Sequence, residues 1–495
     1  MEAHYHNKCL LYALLLVGSW ICSFLLHLQF FHLSLLRYSF PYYHRLRAAS
    51  VPLEATFASS HAFAQDFTSS RRSPSCDGRY VYMLDIHPRF DLLNACVDGS
   101  SSLLEDEHGA CVLMSNAGLG PALAPAASGD DGVISSNGWF NTNQYSLEVI
   151  FHNRMRHYEC LTDDPASSSA VYVPYYPGLE LNRHACEANA TERDGPSGEF
   201  LRWLSSRPEW AAHGGRDHFM VVAKTTWMLR RRVQPDEEAG SCGNRFLDRA
   251  EPRNMTVLTY ESNIWDRRDM AVPYPSYFHP SSSGAVSAWQ ARARAAPRPW
   301  LFAFAGARRP NGTLLLRDRV IDTCVSVPAR CGMFGCDSQR GGLEGCRSPE
   351  KLVALFLSAR FCLQPRGDSF MRRSSVDAVI AGCVPVFFHE ASTFEKQYRW
   401  HAPQGNKSGG NYSVFIDPDD VLQGKVDIEE VLGRYTDEEV AAMREEVIRM
   451  IPRLLYKDPR VRFQGHMSDA FDIAIDEVLA RTRRIKNGED LGWQI

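Results

Sequence analysis

Residues 348–388 alternate between helical and strand patterns, and this order restricts the possible folds more than any other feature of the sequence. Two segments show helical apolar periodicity, with Ser348 before the first and Gly382 after the second. The other two are short apolar runs of strand length. The predicted elements are a helix over 349–360, a strand over 361–364, a helix over 370–381 and a strand over 384–388. Strands that alternate with helices in this way predict a parallel α/β sheet.

The turn at residues 365–368 has a composition that favours an anionic ligand. It follows a predicted strand, and α/β sheets bind ligands at the carboxyl ends of their strands. Gly367 allows a tight turn, and Ser369 is predicted to cap the next helix, whose free N–H groups and positive dipole end attract anions. Three guanidinium groups, which suit phosphate, crowd the same turn; they belong to Arg366, Arg372 and Arg373.

Asp377 lies one helical turn beyond Arg373, and two interpretations of this position are open. A carboxylate here can accept hydrogen bonds from the ribose hydroxyls of a bound nucleotide. Alternatively, Arg373 and Asp377 form an ordinary i, i+4 surface pair worth about 0.3–0.5 kcal/mol, in a βαβ unit without a ligand.

Two long segments resemble the exostosin-type glycosyltransferases of family 47, and within them the plant xyloglucan galactosyltransferases. FCLQPRGDSFMRRSSVDAVIAGCVPVFF resembles their nucleotide-sugar segment. NTNQYSLEVIFHNRMRHYECLTDDPASSSAVYVPYYPGLELNRH is similar to their acceptor-side domain. Further segments follow in the family's order over residues 76–481. The resemblance implies a GT-B fold, with two Rossmann-like domains that face each other across a cleft and the donor on the C-terminal one.

The resemblance also implies an inverting transfer of a sugar, most simply galactose, from a UDP-sugar to the xylose side chains of xyloglucan. Arg308 and Arg317 are similar to family arginines placed near the donor diphosphate. The expected UDP-sugar site therefore contains Arg308, Arg317, Gly367, Ser369, Arg372, Arg373 and Asp377. No Asp-x-Asp motif accompanies these residues, and Asp417-Pro418-Asp419 occurs only in a late segment, so we expect neither a metal nor another cofactor.

An inverting displacement needs a base for the acceptor hydroxyl. Glu261 and Asp217 lie in segments shared with the family and are the two candidates. For Glu261, the role of base is slightly favoured over a structural role. Tyr175 and Tyr176 are candidates for stacking on the acceptor sugar, although a tyrosine-rich edge of the core explains them equally well.

The composition is that of a globular protein that does not bind nucleic acid. The chain has 495 residues, 44% of them hydrophobic and 23% charged, which predicts two domains of ordinary size. The formal net charge is only −4, so no basic surface for nucleic acid is indicated.

Cysteines and sequons indicate a secretory compartment. The 14 cysteines show no paired CxxC spacing of a zinc site, so disulfides in an oxidising compartment are the better interpretation. Cys324, Cys331, Cys336 and Cys346 are predicted to frame a short disulfide-linked excursion. Five sequons predict glycosylation at Asn189, Asn254, Asn311, Asn406 and Asn411.

Residues 9–36 carry no formally charged side chain, and a transmembrane helix is predicted over 10–31. Basic residues follow this span more than they precede it, which by itself favours a cytoplasmic downstream end. The sequons and most cysteines also lie downstream, and they outweigh that rule. We therefore expect a single-pass type II protein of the Golgi membrane with a luminal catalytic part, possible membership of Golgi glycosyltransferase complexes and a role in cell-wall synthesis.

The predicted organisation has a linker at 281–299 between the two Rossmann-like domains. Its parts are a cytoplasmic tail (1–9), an anchor (10–31), a stem (32–75), an acceptor-side domain (76–295), a UDP-sugar domain (296–465) and a C-terminal helix and tail (466–495). The acidic residues Asp469, Asp472 and Asp476 of that helix are expected on its solvated face. The resemblance implies that the helix crosses back to the first domain.

Three positions depart from the family's pattern, at Lys224, Met228 and Arg366, and they keep other functions open. A catalytically inactive glycan-binding or scaffold protein is one alternative, and transfer of galacturonic acid or a pentose is another. A glycoside hydrolase requires two carboxylates that flank the scissile bond, and no such pair stands out.

Overall fold

The structure, a computed structural model, describes residues 76–93, 110–123, 133–134, 137–184, 189–231, 242–266, 269–309, 314–336, 343–403 and 412–489. The predicted tail, anchor and stem lie outside these residues, as do Asn311, Asn406 and Asn411. Within the described ranges, no helix has both the length and the apolar character needed to cross a membrane.

The first lobe contains a six-stranded parallel sheet with the strand order β2-β1-β3-β4-β5-β6. Its strands are β1 (Val81–Met83), β2 (Leu161–Thr162), β3 (Ala170–Tyr172), β4 (His218–Thr225), β5 (Thr256–Glu261) and β6 (Asp269–Ala271). Its helices are α1 (Ala110–Leu113), α2 (Leu147–Arg156), α3 (Pro177–His184), α4 (Ala190–Ser205), α5 (Pro208–His213) and α6 (Ala250–Asn254). Strands β3, β4, β5 and β6 are buried along their whole length, as expected when helices cover both faces of a parallel sheet.

The second lobe contains a five-stranded parallel sheet with the order β11-β10-β9-β7-β8. Its strands are β7 (Trp300–Gly306), β8 (Cys331–Gly335), β9 (Ala359–Gln364), β10 (Val384–Phe387) and β11 (Val414–Phe415). The remaining helices are α7 (Ser283–Ala295), α8 (Leu315–Ser326), α9 (Leu343–Arg347), α10 (Pro349–Leu357), α11 (Arg373–Ile380), α12 (Phe394–Gln397), α13 (Pro418–Leu422), α14 (Ile428–Gly433), α15 (Asp437–Leu454) and α16 (Ala470–Lys486). Two parallel α/β sheets in one chain confirm the predicted GT-B class.

The order of elements predicted over 348–388 is confirmed, but the second helix begins later than predicted. Ser369 does not cap it, because helix α11 begins at Arg373 and Arg372 occupies the cap position. The hydroxyl of Ser369 instead donates to the carbonyl of Met371 at 3.2 Å. Residues 365–371 therefore form a longer non-helical loop, which we call the donor loop.

The predicted linker at 281–299 is wrong, because most of it forms helix α7. The side chain of Ser282 accepts the N–H of Ala285 and caps this helix, and alanine favours helix formation. Val286, Trp289 and Ala293 recur at helical spacing and are buried. The indole N–H of Trp289 donates to the carbonyl of Ile380 at 2.7 Å, which fixes α7 against α11 of the second lobe.

Helix α16 returns to the first lobe, as the resemblance implied. The ring of Phe471 packs 4.7 Å from that of Phe151 on α2. Arg154, also on α2, donates to Asp469 at 3.2 Å and to Asp472 at 3.0 Å. The contacts of α16 therefore connect the end of the chain to the first sheet's helical layer.

The acidic residues of α16 are not all on a solvated face, contrary to expectation. Asp469 is fully buried, caps the helix by accepting the N–H of Asp472, and also accepts the N–H of Lys457 at 2.7 Å. Burial acts to raise the pKa of Asp469, but the charges of Arg154 and Lys457 outweigh it and lower the pKa. Of the three aspartates, only Asp476 is substantially exposed, in an ion pair with Arg79.

Disulfides connect the described cysteines as an oxidising compartment would allow. Cys324 pairs with Cys331 and Cys336 with Cys346, which confirms the predicted linkage of the excursion around β8. Two further disulfides are Cys76–Cys160, which joins the start of the first lobe to β2, and Cys362–Cys383, which joins β9 to the start of β10.

Candidate active site

The carboxyl end of β5 meets the donor loop of the second lobe through Glu261. Its carboxylate accepts the N–H of Met371 at 2.6 Å, and it is buried with 3% of its surface exposed. Burial raises the pKa of Glu261 to about 7, while hydrogen bonding, above all from the Met371 N–H, acts to lower it. The backbone of the donor loop thus donates to a buried carboxylate from the opposite lobe.

The sequence of the donor loop explains its compact turn. Pro365 ends β9 because it has no N–H to continue a ladder. The N–H of Gly367 donates to the carbonyl of Ser369 at 3.0 Å, which closes the turn. A Cβ at Gly367 would lie only 2.7 Å from Nη2 of Arg317, so the missing side chain lets this guanidinium approach the loop backbone.

The guanidinium groups of Arg317 and Arg372 both contact the backbone of this loop. Arg317 on α8 is buried and donates to the carbonyl of Arg366 at 3.3 Å, while Arg372 donates to the carbonyl of Ala305 at 2.8 Å. Burial, followed by the charge of Arg309, lowers the pKa of Arg317. Burial and the charges of Arg317 and Arg309 lower the pKa of Arg372. Like charges in such proximity repel one another, and an anion bound between them would relieve that repulsion.

Two further features of this region suit an anionic ligand. Nε of Arg317 is buried and has no hydrogen-bond partner within the described residues. No side-chain hydrogen bond caps α11 at Arg372, so the positive end of its dipole faces the donor loop uncompensated by a cap. Together with the donor loop, these groups supply the positive charge and hydrogen-bond donors that suit a diphosphate.

Arg373 and Asp377 form the predicted i, i+4 pair, with Nε and Oδ2 3.6 Å apart, but Asp377 is buried and Arg373 half-buried between the lobes. Arg373 donates to the carbonyl of Thr142 and lies 3.7 Å over the ring of Tyr277. Asp377 accepts the hydroxyl of Ser276 at 2.7 Å, and burial raises its pKa. Both side chains therefore contact the first lobe and help to fix the junction beside the donor loop.

Four predicted site residues lie away from this junction: Arg308, Asp217, Tyr175 and Tyr176. Arg308 is exposed and pairs with Asp322 and Asp318 on α8. Asp217 precedes β4, at the amino end of the sheet, where the ring of His218 hydrogen-bonds to it at 2.8 Å and Nζ of Lys486 lies at 3.6 Å.

The tyrosine pair at the carboxyl end of β3 lies inside the first lobe. Tyr175 is buried and stacks on Phe200 with ring centroids 3.8 Å apart. The hydroxyl of Tyr176, also buried, hydrogen-bonds to Nδ1 of His152. Of the predicted site residues, the structure thus gathers Glu261, Arg317, Gly367, Ser369, Arg372, Arg373 and Asp377 around the donor loop.

A family model described as the Exostosin GT47 domain matches residues 75–432. The chain belongs to the exostosin GT47 family. It is therefore a glycosyltransferase.

Named relatives cover most of the chain. Xyloglucan galactosyltransferase MUR3 of Arabidopsis thaliana is 40% identical over 422 residues, which are 85% of this chain and 65% of that protein. Probable xyloglucan galactosyltransferase GT15 of the same plant is 38% identical, over 85% of this chain and 86% of that protein. Xyloglucan-specific galacturonosyltransferase 1 of A. thaliana is 34% identical, over 83% of this chain and 59% of that protein. The chain thus spans about two thirds of the length of the first of these relatives.

Two groups on the first lobe of this GT47 chain were not predicted as a unit. Glu148 on α2 is fully buried and accepts the N–H groups of Gly178 at 2.7 Å and Ala223 at 3.0 Å. Lys224, the departure at the end of β4, is buried with Nζ 4.2 Å from the ring centroid of Tyr145. Burial lowers the pKa of Lys224, and Glu148 opposes this shift. In a sequence, a glutamate in the first turn of a helix indicates only a favourable interaction with the helix dipole. The sequence therefore does not predict that Glu148 is buried.

We expect Arg317→Lys to weaken the binding of UDP by about tenfold or more. The ammonium group of lysine keeps the charge but loses the planar donors that reach both the loop backbone and a phosphate, and a charged hydrogen bond contributes roughly 1.5–3 kcal/mol. The measurement is the Kd of UDP by titration calorimetry. Arg319→Lys, at an exposed position on the same helix, is the matched control and should bind UDP as the unchanged chain does. A Kd for Arg317→Lys within twofold of the control would contradict this role.

Proposed function

We propose that this GT47 chain transfers galactose from UDP-galactose to the xylose side chains of xyloglucan during synthesis of the plant cell wall. The contacts of the Arg317 and Arg372 guanidinium groups with the donor loop carry the proposal that the donor is a nucleotide sugar. The names of MUR3 and GT15 support galactose as the sugar and xyloglucan as the acceptor. Galacturonic acid is a second candidate because a xyloglucan-specific galacturonosyltransferase is also similar to the chain.

The donor loop and the guanidinium groups would act on the leaving group. As the bond between the sugar C1 and the phosphate oxygen breaks, negative charge moves onto UDP. N–H groups and guanidinium groups fixed in position before the reaction stabilise this charge without the cost of reorienting water. The arrangement supplies this charge stabilisation from protein groups, and we propose that transfer needs no metal ion.

Glu261 would act as the base. Its carboxylate takes the proton of the acceptor hydroxyl while that oxygen forms a bond to C1 on the face opposite UDP, so that the anomeric configuration inverts. A free glutamate has a pKa near 4.3 and is a weak base at neutral pH, whereas burial raises the pKa of Glu261 to about 7. The bond to Met371 places this group beside the loop that we propose holds the donor.

We also propose that the protein is a single-pass type II membrane protein of the Golgi, with its catalytic part in the lumen. Asn189 and Asn254 are both exposed, so each is accessible for glycosylation there. The side chain of Asn189 caps α4 through its oxygen, which accepts the N–H of Glu192. Its amide nitrogen is thus the atom left for a glycan.

The donor and reaction are tested together with the full chain, purified from a secretory host and incubated with xyloglucan oligosaccharides and a panel of UDP-sugars. We expect a mass increment of one hexose with UDP-galactose and none with UDP-galacturonic acid or UDP-pentoses. The same rate is expected after treatment with EDTA. Transfer from another donor would replace galactose, and activity lost with EDTA and restored by manganese would contradict the metal-independent mechanism.

The role of Glu261 predicts a specific pH dependence. Only the ionised carboxylate accepts a proton, so kcat/KM should fall about tenfold per pH unit as the pH drops below about 7. Glu261→Gln should lower turnover by about 10²–10⁴-fold and abolish this acidic limb. The Gln side chain can still accept the N–H of Met371, so the Kd of UDP should stay within about twofold.

Asp217→Asn is the matched control, because it neutralises a buried carboxylate at the opposite end of the first sheet. It should keep the turnover and the pH profile of the unchanged chain, provided that its thermal midpoint shows it to be folded. Full turnover in Glu261→Gln would exclude Glu261 as the base.

A further inference from the structure

Trp265 is a large aromatic side chain on the surface beside the donor loop. It lies in the connection after β5, and 62% of its surface is exposed. Its ring lies nearly perpendicular to those of Phe370 and His389 on the second lobe, with centroid distances of 5.8 Å and 6.5 Å. These two contacts hold the indole across the junction of the lobes and leave most of its area uncovered.

The aromatic partners of Trp265 are half-buried, whereas Trp265 is exposed. Phe370 and His389 lie 4.5 Å apart at an angle of 31°, and the guanidinium of Arg366 lies 5.8 Å from the ring centroid of Phe370. The open apolar surface of this cluster therefore belongs mainly to Trp265. Aromatic faces are well suited to the C–H faces of sugar rings, because both surfaces are flat and apolar.

A polar cavity of about 360 Å³ is lined by the chain neighbours of Trp265, Ile264 and Asp266. Its volume falls in the range of sites for small molecules. Its polar lining includes Asn263 and Asp266 from the first lobe and Glu395, Lys396 and Arg399 from the second. Carboxylates and an amide oxygen accept hydrogen bonds from hydroxyls, while ammonium, guanidinium and amide N–H groups donate to them. Both signs of charge occur together, which suits a neutral ligand with many hydroxyls better than an anion.

We propose that Trp265 and this cavity form a subsite for sugar rings of a neutral oligosaccharide acceptor, next to the ring that receives the transferred sugar. This inference rests on the proposed glycosyl transfer and adds the place where the acceptor chain is held. Trp265 lies four residues after Glu261, so their Cα atoms are at most about 14 Å apart. A sugar chain packed on Trp265 would therefore pass close to the proposed base.

The location on the first lobe favours the acceptor over the nucleotide as the ligand of Trp265. The groups that suit a diphosphate come from the second lobe. They lie in the donor loop after β9, on α8 and at the start of α11. Trp265 and the 262–266 wall of the cavity come from the first lobe, directly after the strand that ends in Glu261. The two ligands would thus approach the reacting atoms from opposite lobes.

The test uses the full chain with Trp265→Ala and xyloglucan oligosaccharides of increasing length. We expect the Kd of the longer oligosaccharides, measured by calorimetry without donor, to rise about tenfold, and their KM to rise by a similar factor. The Kd of UDP and the KM of the UDP-sugar should change less than twofold. Trp265→Phe keeps a flat ring and should retain most of the affinity.

Phe415→Ala is the matched control, since Phe415 is a comparably exposed aromatic residue on the edge strand β11. It should leave the Kd of every oligosaccharide unchanged. The subsite is overturned if Trp265→Ala binds the oligosaccharides as the control does, or if its loss of affinity concerns UDP alone, which would make Trp265 a nucleobase contact. Absence of transfer in the unchanged chain would refute the proposed function instead, and the binding measurement would still decide the role of Trp265.

Discussion

The hydrogen bond from the Met371 N–H to the carboxylate of Glu261 is the contact on which the site depends. It joins the carboxyl end of one parallel sheet to the loop that follows a strand of the other. A buried carboxylate without donors would be strongly disfavoured, and the donor loop supplies those donors. The same bond therefore satisfies Glu261, shapes residues 365–371 and sets the distance between the two lobes at the reacting centre.

The groups around this hydrogen bond provide two electrostatic environments, one for the leaving group and one for the base. On the second lobe, Arg317 and Arg372 are crowded by like charge, and the cluster gains from a bound anion. On the first lobe, burial makes the carboxylate of Glu261 easier to protonate, as a base requires. Arg373, Asp377 and Ser276 contact one another across the junction beside them. Proton transfer and leaving-group stabilisation can then proceed at neighbouring positions, with the Met371 N–H on Glu261 and the guanidinium groups on the phosphate.

Sequence reasoning succeeded where the determinants are local. The βαβ pattern of 348–388, its arginines and the excursion around β8 follow from periodicity, turn residues and cysteine spacing. Prediction from the sequence failed where contacts with a distant segment determine the local structure. Ser369 is not a helix cap because the donor loop is held by Glu261, 110 residues away. Residues 281–299 resemble a linker by composition, yet three apolar residues at helical spacing are buried, with Trp289 packed on Trp139 and Phe278, and the segment folds as α7. The helical spacing of Asp469 predicts a solvated position. In the structure it is the buried N-cap of α16 and interacts with Arg154 and Lys457.

Hydrogen–deuterium exchange of the full chain with and without UDP tests the central claim most directly, since it reports on the donor loop amide by amide. The account predicts that UDP slows exchange in peptides that cover residues 365–375, with a smaller effect around Glu261. Peptides at the amino end of β4, including Asp217, should exchange at unchanged rates. UDP binding verified by calorimetry, with exchange over 365–375 unaltered, would contradict the account and place the nucleotide elsewhere on the molecule.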